Sequence, residues 1–196
     1  MKRIILIIVA FITFSAVNGQ QIYYPPVSPL EPLAQTPFQK GVDTSTDIVA
    51  MTLPVATLAG ICIARDWQGL KQAAFTAAAS IGSMLILKYS VRELRPDHSN
   101  YHSFPSGHST VAFAAAGFLQ RRYGWKFGAP AYALATYTAV GRVLAKKHHW
   151  WDVVAGAAIG VGSAYVFTTP WARHHDFAIV PAANDQYIGL SASMTF

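Results

Sequence analysis

The chain has 196 residues, of which 53% are hydrophobic and only 12% are charged. Its formal charge of +6 comes from scattered lysines and arginines rather than from a dense basic block, which argues against binding to nucleic acid. A single cysteine excludes an intrachain disulfide and a thiolate metal site, and a mean hydropathy of +0.29 favours a membrane protein or a heavily buried helical one.

The N-terminal segment, residues 1–19, has the order of features that is typical of a secretory signal. Lys2 and Arg3 precede an apolar stretch of about ten to twelve residues, and small and polar residues follow it. The cleavage site before Gln20 is imperfect, so we interpret the segment either as a signal peptide or as an uncleaved anchor. Both interpretations predict export from the cytoplasm.

Residues 20–43 contain five prolines. Because proline fixes φ and has no backbone N–H, a regular helix or a central strand is unfavourable there. We predict an extended lead-in to a helical domain, which we place over residues 44–172.

Five apolar, alanine-rich segments follow at short intervals, over about residues 46–64, 69–94, 107–121, 127–146 and 151–169. They are too long for ordinary strands, so the pattern predicts an all-α bundle of five core helices. Gly156 and Gly160, in the fifth segment, form a small-xxx-small pair that lets another helix approach closely. Cys62, in the first segment, is predicted to be a small core residue.

Helix length and the placement of charges give opposite answers to the question whether the helices span a membrane. Each uninterrupted apolar stretch has only about 13 to 17 residues, fewer than the roughly 20 that span a bilayer. The basic residues, however, gather at one end if the helices alternate in direction, as in cytoplasmic loops. We follow the charges and predict a membrane-embedded bundle; the basic residues are Lys2, Arg3, Arg65, Lys71, Arg121, Arg122, Lys126 and Arg173.

Residues 173–196 are predicted to form a short extended C-terminal tail. From Ile188 to Phe196 apolar residues alternate with small polar ones, a period that indicates a strand. An outer-membrane barrel requires many such segments. We therefore expect a short docked strand or a free end.

Ionisable residues interrupt the apolar pattern in three clusters, over residues 88–96, 105–108 and 141–152. The first closes helix two, the second opens helix three, and the third joins helix four to helix five. If the helices alternate in direction, all three clusters meet at one end, as a single active site requires.

The first cluster contains two cations. Lys88 and Arg95 are seven residues apart, nearly two helical turns, so they are predicted to share a face until Pro96 stops the helix. Such a pair suits an anion held between the two charges. The alternative is a pair of surface cations that complement the helix dipole.

The second cluster opens a helix with Ser106 and Gly107. The first N–H groups of a helix have no partner within it and the dipole is positive there, so an oxyanion can bind. His108 could give a proton to an oxygen that leaves this anion. The alternative is a plain N-cap with an incidental histidine.

The third cluster combines imidazoles with a carboxylate. His148 and Asp152 are four residues apart, so the carboxylate can hold one imidazole nitrogen and leave the other free to attack. His149 is also within reach of Asp152, and spacing does not choose between the histidines. Arg142 adds a planar fork suited to phosphate oxygens. The alternative is a membrane-surface belt anchored by the neighbouring tryptophans.

Together the clusters indicate a metal-free phosphotransfer centre with a histidine nucleophile. They also resemble the tripartite signature of the type 2 phosphatidic acid phosphatase superfamily, which includes bacterial acid phosphatases and vanadium haloperoxidases. The resemblance covers about residues 46–170. In this sequence the signature is Lys88, six residues, Arg95-Pro96; Pro105-Ser106-Gly107-His108; and Arg142, five residues, His148, three residues, Asp152.

The resemblance implies roles for individual residues. His148 would attack phosphorus to give a phosphohistidine, oriented by Asp152, and this selects it over its neighbour. His108 would protonate the leaving alcohol and then activate water. Gly141 stands where the family usually has serine, so one phosphate hydrogen bond is expected to be missing or replaced by water. The implied phosphate-binding groups are Lys88, Arg95, Arg142, Ser106 and the amide of Gly107.

The resemblance and the apolar bundle predict a phosphatase without metal or cofactor that hydrolyses phosphate monoesters or pyrophosphates of lipids. Candidate substrates are lipid A, undecaprenyl pyrophosphate and phosphatidylglycerol phosphate. We expect the protein among the lipids of a bacterial inner membrane, with the active site facing the periplasm. The alternatives are a soluble periplasmic acid phosphatase, a vanadate-dependent haloperoxidase and a non-catalytic membrane protein.

Overall fold

The computed structural model describes residues 31–171, 176–184 and 187–195. The signal or anchor segment predicted over residues 1–19 lies outside these ranges, as does most of the proline-rich lead-in. The elements below belong to one compact unit that begins at Leu33.

Up to residue 171 the described chain forms five α-helices, which confirms the predicted all-α bundle. Short links join consecutive helices, except that residues 91–106 form a longer connection between the second and the third. The helices are α1 (Pro37–Ile63), α2 (Trp67–Ser90), α3 (Gly107–Tyr123), α4 (Trp125–Leu144) and α5 (Trp150–Phe167).

α1 begins earlier than predicted. The Thr36 hydroxyl accepts a hydrogen bond from the Gln39 N–H at 3.2 Å, and the Gln39 side chain accepts one from the Thr36 N–H at 3.0 Å. Pro37 follows this capping box, at a position where its missing N–H would have had no helical partner. The prediction of an extended chain is therefore wrong for residues 37–43, because this proline starts a helix instead of preventing one.

α3 lies at the centre of the bundle, in contact with each of the other four helices. Its buried face is rich in alanine, and α5 packs closely against it at two glycines. A β-carbon at Gly156 would lie 2.6 Å from the carbonyl oxygen of Ser106, and one at Gly160 would overlap that of Thr110. The close helix approach predicted for this glycine pair is confirmed.

Large apolar side chains lie on the outside of the bundle. Met51, Val55 and Ile86 are 67%, 64% and 61% exposed. α1, α2 and α5 have 27, 24 and 18 residues and are long and apolar enough to cross a membrane. Bulky residues outside and small residues inside are typical of membrane-embedded bundles. The prediction of a buried Cys62 is wrong, because this residue is exposed on the outer face of α1.

The end of the bundle opposite the three ionisable clusters carries basic residues, as predicted, but one of them is buried. Arg122, in the last turn of α3, donates to the Asp66 carboxylate from Nε at 2.7 Å and from Nη2 at 2.6 Å. Its Nη1 donates to the Thr169 carbonyl oxygen at 2.9 Å. Arg65, Lys71 and Lys126 are exposed. Arg122 therefore joins helix ends, and the three exposed residues give this end its accessible positive charge.

The C-terminal tail contains two antiparallel strands, β1 (Asp176–Asn184) and β2 (Tyr187–Thr195), where the alternation predicted only the second. In the pairing, Phe177 lies opposite Met194. The first strand escapes sequence detection because its apolar residues are consecutive and Pro181 interrupts them.

Candidate active site

The first cluster is built differently from the prediction. α2 ends at Ser90, and Val91 is already extended, so Lys88 and Arg95 do not share a helix face. The Arg95 N–H instead donates to the Asn100 carbonyl oxygen at 3.0 Å, within the α2–α3 connection. Arg95 nevertheless lies close enough for its charge to act on Lys88. The two cations are brought together by a folded loop, which helical spacing does not predict.

Lys88 secures the loop that precedes α3. Its Nζ donates to the carbonyl oxygen of Pro105 at 2.8 Å and to that of His102 at 3.1 Å. A cation is thereby fixed directly beside the start of α3.

The second cluster forms the first turn of α3. Ser106 is fully buried and caps the helix, because its Oγ accepts from the Ser109 N–H at 3.4 Å. The Ser106 N–H donates to the main-chain carbonyl oxygen of Asp152 at 3.0 Å. Gly107 is the first helical residue and His108 the second. The starts of α3 and α5 are thus joined, and the N–H end of α3 faces the third cluster.

Two histidines of the third cluster reach the same carboxylate. The Nδ1 atoms of His148 and of His149 each lie 3.5 Å from Oδ2 of Asp152. Burial separates them: the side chain of His148 is 1% exposed and that of His149 is 28% exposed. His149 also stacks on Trp151 with ring centroids 4.5 Å apart. His148 alone of the two is enclosed near the arginines.

Asp152 is held rigidly. Its Oδ2 accepts from Oγ of Ser103 at 2.5 Å and from the His149 N–H at 2.9 Å. His148 precedes α5 instead of lying on it, since the helix begins at Trp150. Ser103 was missed by the sequence reasoning, because a serine in a loop 49 residues earlier carries no local signal for this contact.

His148 is a neutral imidazole at physiological pH. Burial is the main cause that lowers its pKa to about 4, and the charges of Arg95 and Arg142 lower it further, against the opposing effect of Asp152. A neutral imidazole keeps a lone pair on its ring, and Nδ1 faces the carboxylate. The remaining nitrogen, Nε2, is then available as a nucleophile.

Two aspartates of α1 complete the site, and both were missed by the sequence reasoning. Nη1 of Arg142 lies 2.6 Å from Oδ1 of Asp43 and 2.6 Å from Oδ1 of Asp47. The same Asp47 oxygen lies 2.9 Å from Nε2 of His108. A usable signal existed: ionisable residues inside a membrane-spanning segment are costly and usually functional.

Gly141 lets α1 come close enough for these contacts. A β-carbon at Gly141 would overlap Cγ2 of Thr46 and lie 3.1 Å from Cγ1 of Val42. The position where the family usually has serine is therefore filled by a neighbouring helix. The consequence is that α1 delivers its carboxylates to Arg142, the next residue of α4.

Lys147 links the same region to the α2–α3 connection. Its Nζ lies 2.9 Å from Oδ2 of Asp97 and 3.7 Å from Oδ2 of Asp43. Although burial raises the pKa of Asp97, hydrogen bonds from Lys147 and Ser99 outweigh this effect and leave the pKa below its usual value. The carboxylate is thus ionised and holds the lysine in place.

Glu93, His149 and Asp152 each offer an acceptor atom, and these atoms lie within 4.8 Å of one another, which is suitable spacing for a metal ion. Two of the three groups already take part in hydrogen bonds: Trp151 Nε1 donates to Glu93 Oε1 at 2.7 Å, and the main-chain N–H of His149 donates to Asp152 Oδ2 at 2.9 Å. Nδ1 of His149 has no hydrogen-bond partner among the described residues. Burial is the main cause that raises the pKa of Glu93, and the neighbouring Asp152 raises it further.

The arginines and the two clustered histidines converge on one region. Arg95 and Arg142 both act on the protonation of His108 and of His148. The buried Nε atoms of both arginines have no hydrogen-bond partner in the part of the chain that the structure describes. Unused donors beside two imidazoles and a helix N-terminus suit a tetrahedral oxyanion.

These features define a class of protein: a membrane-embedded helical bundle with arginines and histidines gathered at one end, an arrangement that suits an oxyanion. The family model of the PAP2 superfamily matches residues 69–175. The chain belongs to this superfamily and is a phosphatase. The residues that carry the resemblance all lie within the matched range; they include Lys88, Arg95, His108, Arg142 and His148.

Curated relatives agree with this membership. The chain is 33% identical to a lipid A 4'-phosphatase of Helicobacter pylori, over 82% of this chain and 87% of that protein. It is 38% identical to a lipid A 1-phosphatase of Porphyromonas gingivalis, but over only 38% of this chain and 17% of that protein.

Solved structures share the fold. LpxE of Aquifex aeolicus superposes with a TM-score of 0.59 at 21% identity, covering 68% of this chain and 87% of that one. A transmembrane PAP2-type phosphatidylglycerolphosphate phosphatase of Bacillus subtilis gives a TM-score of 0.55 at 19% identity, covering 85% and 94%.

Proposed function

We propose that this protein is a metal-independent lipid phosphatase that works through a phosphohistidine intermediate on His148. The observation that carries the proposal is the environment of this imidazole: fully buried, neutral, backed by Asp152 and close to Arg95 and Arg142. Two guanidinium groups placed beside a buried neutral imidazole would be costly if they served only to pack the core. The same arrangement is suitable for binding a phosphate.

In the first step, Nε2 of His148 forms a bond to phosphorus while the bond from phosphorus to the ester oxygen breaks. His108 gives its proton to that oxygen, so the alcohol leaves neutral. In the second step, His108 takes a proton from water, the water oxygen bonds to phosphorus, and the electron pair of the N–P bond returns to His148. The donors Lys88, Arg95, Arg142, Ser106 and the Gly107 amide would hold the three remaining phosphate oxygens throughout.

The substrate class follows from where the site lies. The site stands at one end of a bundle whose outer face is apolar, so a headgroup phosphate can enter while acyl or prenyl chains remain in the lipid. Lipid A is the first candidate, because the Helicobacter pylori relative aligns with most of both chains. Undecaprenyl pyrophosphate and phosphatidylglycerol phosphate are the other substrates to compare.

The positions of the exposed basic residues support one orientation of the protein in the membrane. Arg65 and Lys126 are exposed at the end opposite the site, and exposed basic residues prefer the cytoplasmic side. We place the protein in a bacterial inner membrane with the site facing the periplasm. A cysteine-labelling reagent that cannot cross the membrane should reach a cysteine introduced at Asn100 in intact spheroplasts, and labelling only after lysis would reverse this orientation.

The test of the activity is phosphate release by detergent-purified protein from the three lipid phosphates in the presence of EDTA. Wild type is expected to be active, and His148→Ala should lose at least about a thousandfold in kcat, because the nucleophile is gone. His149→Ala is the matched control: its Nδ1 lies at the same distance from Asp152, yet it is expected to keep most activity. Dependence on added metal, or an active His148→Ala enzyme, would overturn the proposal.

A further inference from the structure

Asp47 is a charged residue of the site that lies outside the region matched by the family model, residues 69–175. Its Oδ1 is 2.9 Å from Nε2 of His108 and 2.6 Å from Nη1 of Arg142. One carboxylate oxygen therefore contacts both the histidine and the arginine of two different motifs.

The contact on His108 resembles the one on His148, with the ring nitrogens exchanged. Asp152 faces Nδ1 of His148 and leaves Nε2 for chemistry, whereas Asp47 faces Nε2 of His108 and leaves Nδ1. A carboxylate behind an imidazole fixes its tautomer and its orientation. Each histidine of the site then has its own aspartate.

We propose that Asp47 is a positioning residue for His108: it holds the ring through Nε2 and stabilises the protonated form, so that Nδ1–H gives its proton to the leaving alcohol. This inference rests on the proposed function, since it concerns the acid of the same reaction. The proton moves from Nδ1 to the ester oxygen as the P–O bond breaks, and Nδ1 regains a proton from the attacking water in the second step.

The charges around His108 explain why a carboxylate is needed. Burial is the largest cause that lowers the pKa of His108, and the charges of Arg142 and Arg95 lower it further. Asp47 and Asp43 from α1 offset this effect only in part, and Asp47 is the carboxylate in direct contact with the ring. Without Asp47 the pKa would fall further, and less of His108 would carry the proton that the leaving group requires.

A leaving-group comparison isolates this role. An alkyl phosphate such as dioctanoyl phosphatidic acid releases a strongly basic alkoxide unless an acid protonates it, whereas p-nitrophenyl phosphate releases a stable phenolate that needs no acid. A defect in proton donation therefore slows the first step with the first substrate alone. The second step, in which His108 takes a proton from water, is common to both substrates, and a defect in folding or phosphate binding also affects both.

For Asp47→Asn, kcat on dioctanoyl phosphatidic acid is expected to fall by about 10- to 100-fold. This is at or below the lower end of the range for general acid catalysis, because the side chain is half-exposed and His108 itself remains. With p-nitrophenyl phosphate the rate of the phenolate burst, which reports the first step, should change by less than about threefold, since no acid is required in that step. The basic limb of the kcat profile for the lipid should move to lower pH, because the proton leaves His108 more easily.

Asp43→Asn is the matched control. Asp43 also lies 2.6 Å from Nη1 of Arg142 but acts on His108 only through its charge at a distance, so this variant should raise KM for both substrates and change their kcat ratio much less than Asp47→Asn does. Asp47→Glu should restore the lipid activity at least in part. In a His108→Asn background, Asp47→Asn should have no further effect on the ratio.

Equal losses on both substrates in Asp47→Asn, or no loss on either, would overturn the inference. Those outcomes leave the proposed function standing, because that function is tested by His148→Ala and by activity in EDTA. If Asp47→Asn does not fold in detergent, the Asp47→Glu variant decides: it carries the same charge and must retain the wild-type leaving-group ratio.

Discussion

Replacing Gly141 with serine, the residue usual in the family, is expected to damage this protein. The new β-carbon would overlap Cγ2 of Thr46 and lie 3.1 Å from Cγ1 of Val42. Thr46 is fully buried, and its hydroxyl donates to the Val42 carbonyl oxygen at 2.9 Å, so it cannot turn aside without losing this bond. α1 must therefore move outward and carry Asp43 and Asp47 away from Arg142.

The magnitude follows from opposing effects. Overpacking a core costs about 1–3 kcal/mol. Serine has a higher helix propensity than glycine, which offsets about 0.5 kcal/mol. A net loss of about 0.5–2.5 kcal/mol corresponds to a fall in melting temperature of about 1–10 °C for a domain of this size. The displaced carboxylates should also raise KM, because Arg142 loses the contacts that orient it.

Thermal unfolding in detergent and phosphatase kinetics measure these changes. Gly162→Ser is the control, because nothing lies within 4 Å of a β-carbon there. Adding Thr46→Ala to Gly141→Ser removes the overlapping methyl group and should restore stability. The reasoning is refuted if Gly141→Ser is as stable as wild type, or if the second substitution deepens the loss.

Three further outcomes are expected. The pKa of His148 is about 4 in the folded state and about 6.5 in the unfolded state, so the free energy of unfolding of wild type should fall by up to about 3 kcal/mol as pH falls from 6.5 to 4. His148→Asn should not show this loss, and thermal unfolding at a series of pH values measures it. Asp66→Asn should destabilise by about 3–5 kcal/mol in denaturant titrations, because it leaves Arg122 buried without its counter-charge. Gly160→Val should abolish recovery of folded protein in size-exclusion chromatography, since its β-carbon would overlap the Thr110 carbonyl of α3.

Local patterns were sufficient to predict the architecture. Apolar segments of helical length give the five helices, and their alternation in direction brings three ionisable clusters to one end. The pair Gly156 and Gly160 also indicated a close helix contact, because small residues four apart on one face have few other uses in a membrane bundle. These features depend only on residues that are near in sequence.

Contacts between distant segments were not predictable in the same way. Ser103 reaches Asp152 across 49 residues, and Asp47 reaches Arg142 across 95. The choice between His148 and His149 is equally inaccessible to spacing, because both lie 3.5 Å from the same oxygen and only burial separates them. Burial is a property of the assembled bundle, so it appears only when the helices are packed.

The carboxylates of Asp43 and Asp47 also explain how Arg142 is stabilised inside the bundle when no phosphate is bound. An unpaired arginine inside a low-dielectric bundle is strongly unfavourable. Asp43 and Asp47 both bind Nη1 of Arg142, and this arrangement leaves Nε of the same guanidinium unused among the described residues, as is Nε of Arg95. We therefore expect a phosphate to accept from these Nε donors without displacing either carboxylate. The donors are oriented by folding, so little reorganisation is needed when the substrate binds, which is the condition for strong electrostatic stabilisation of a transition state.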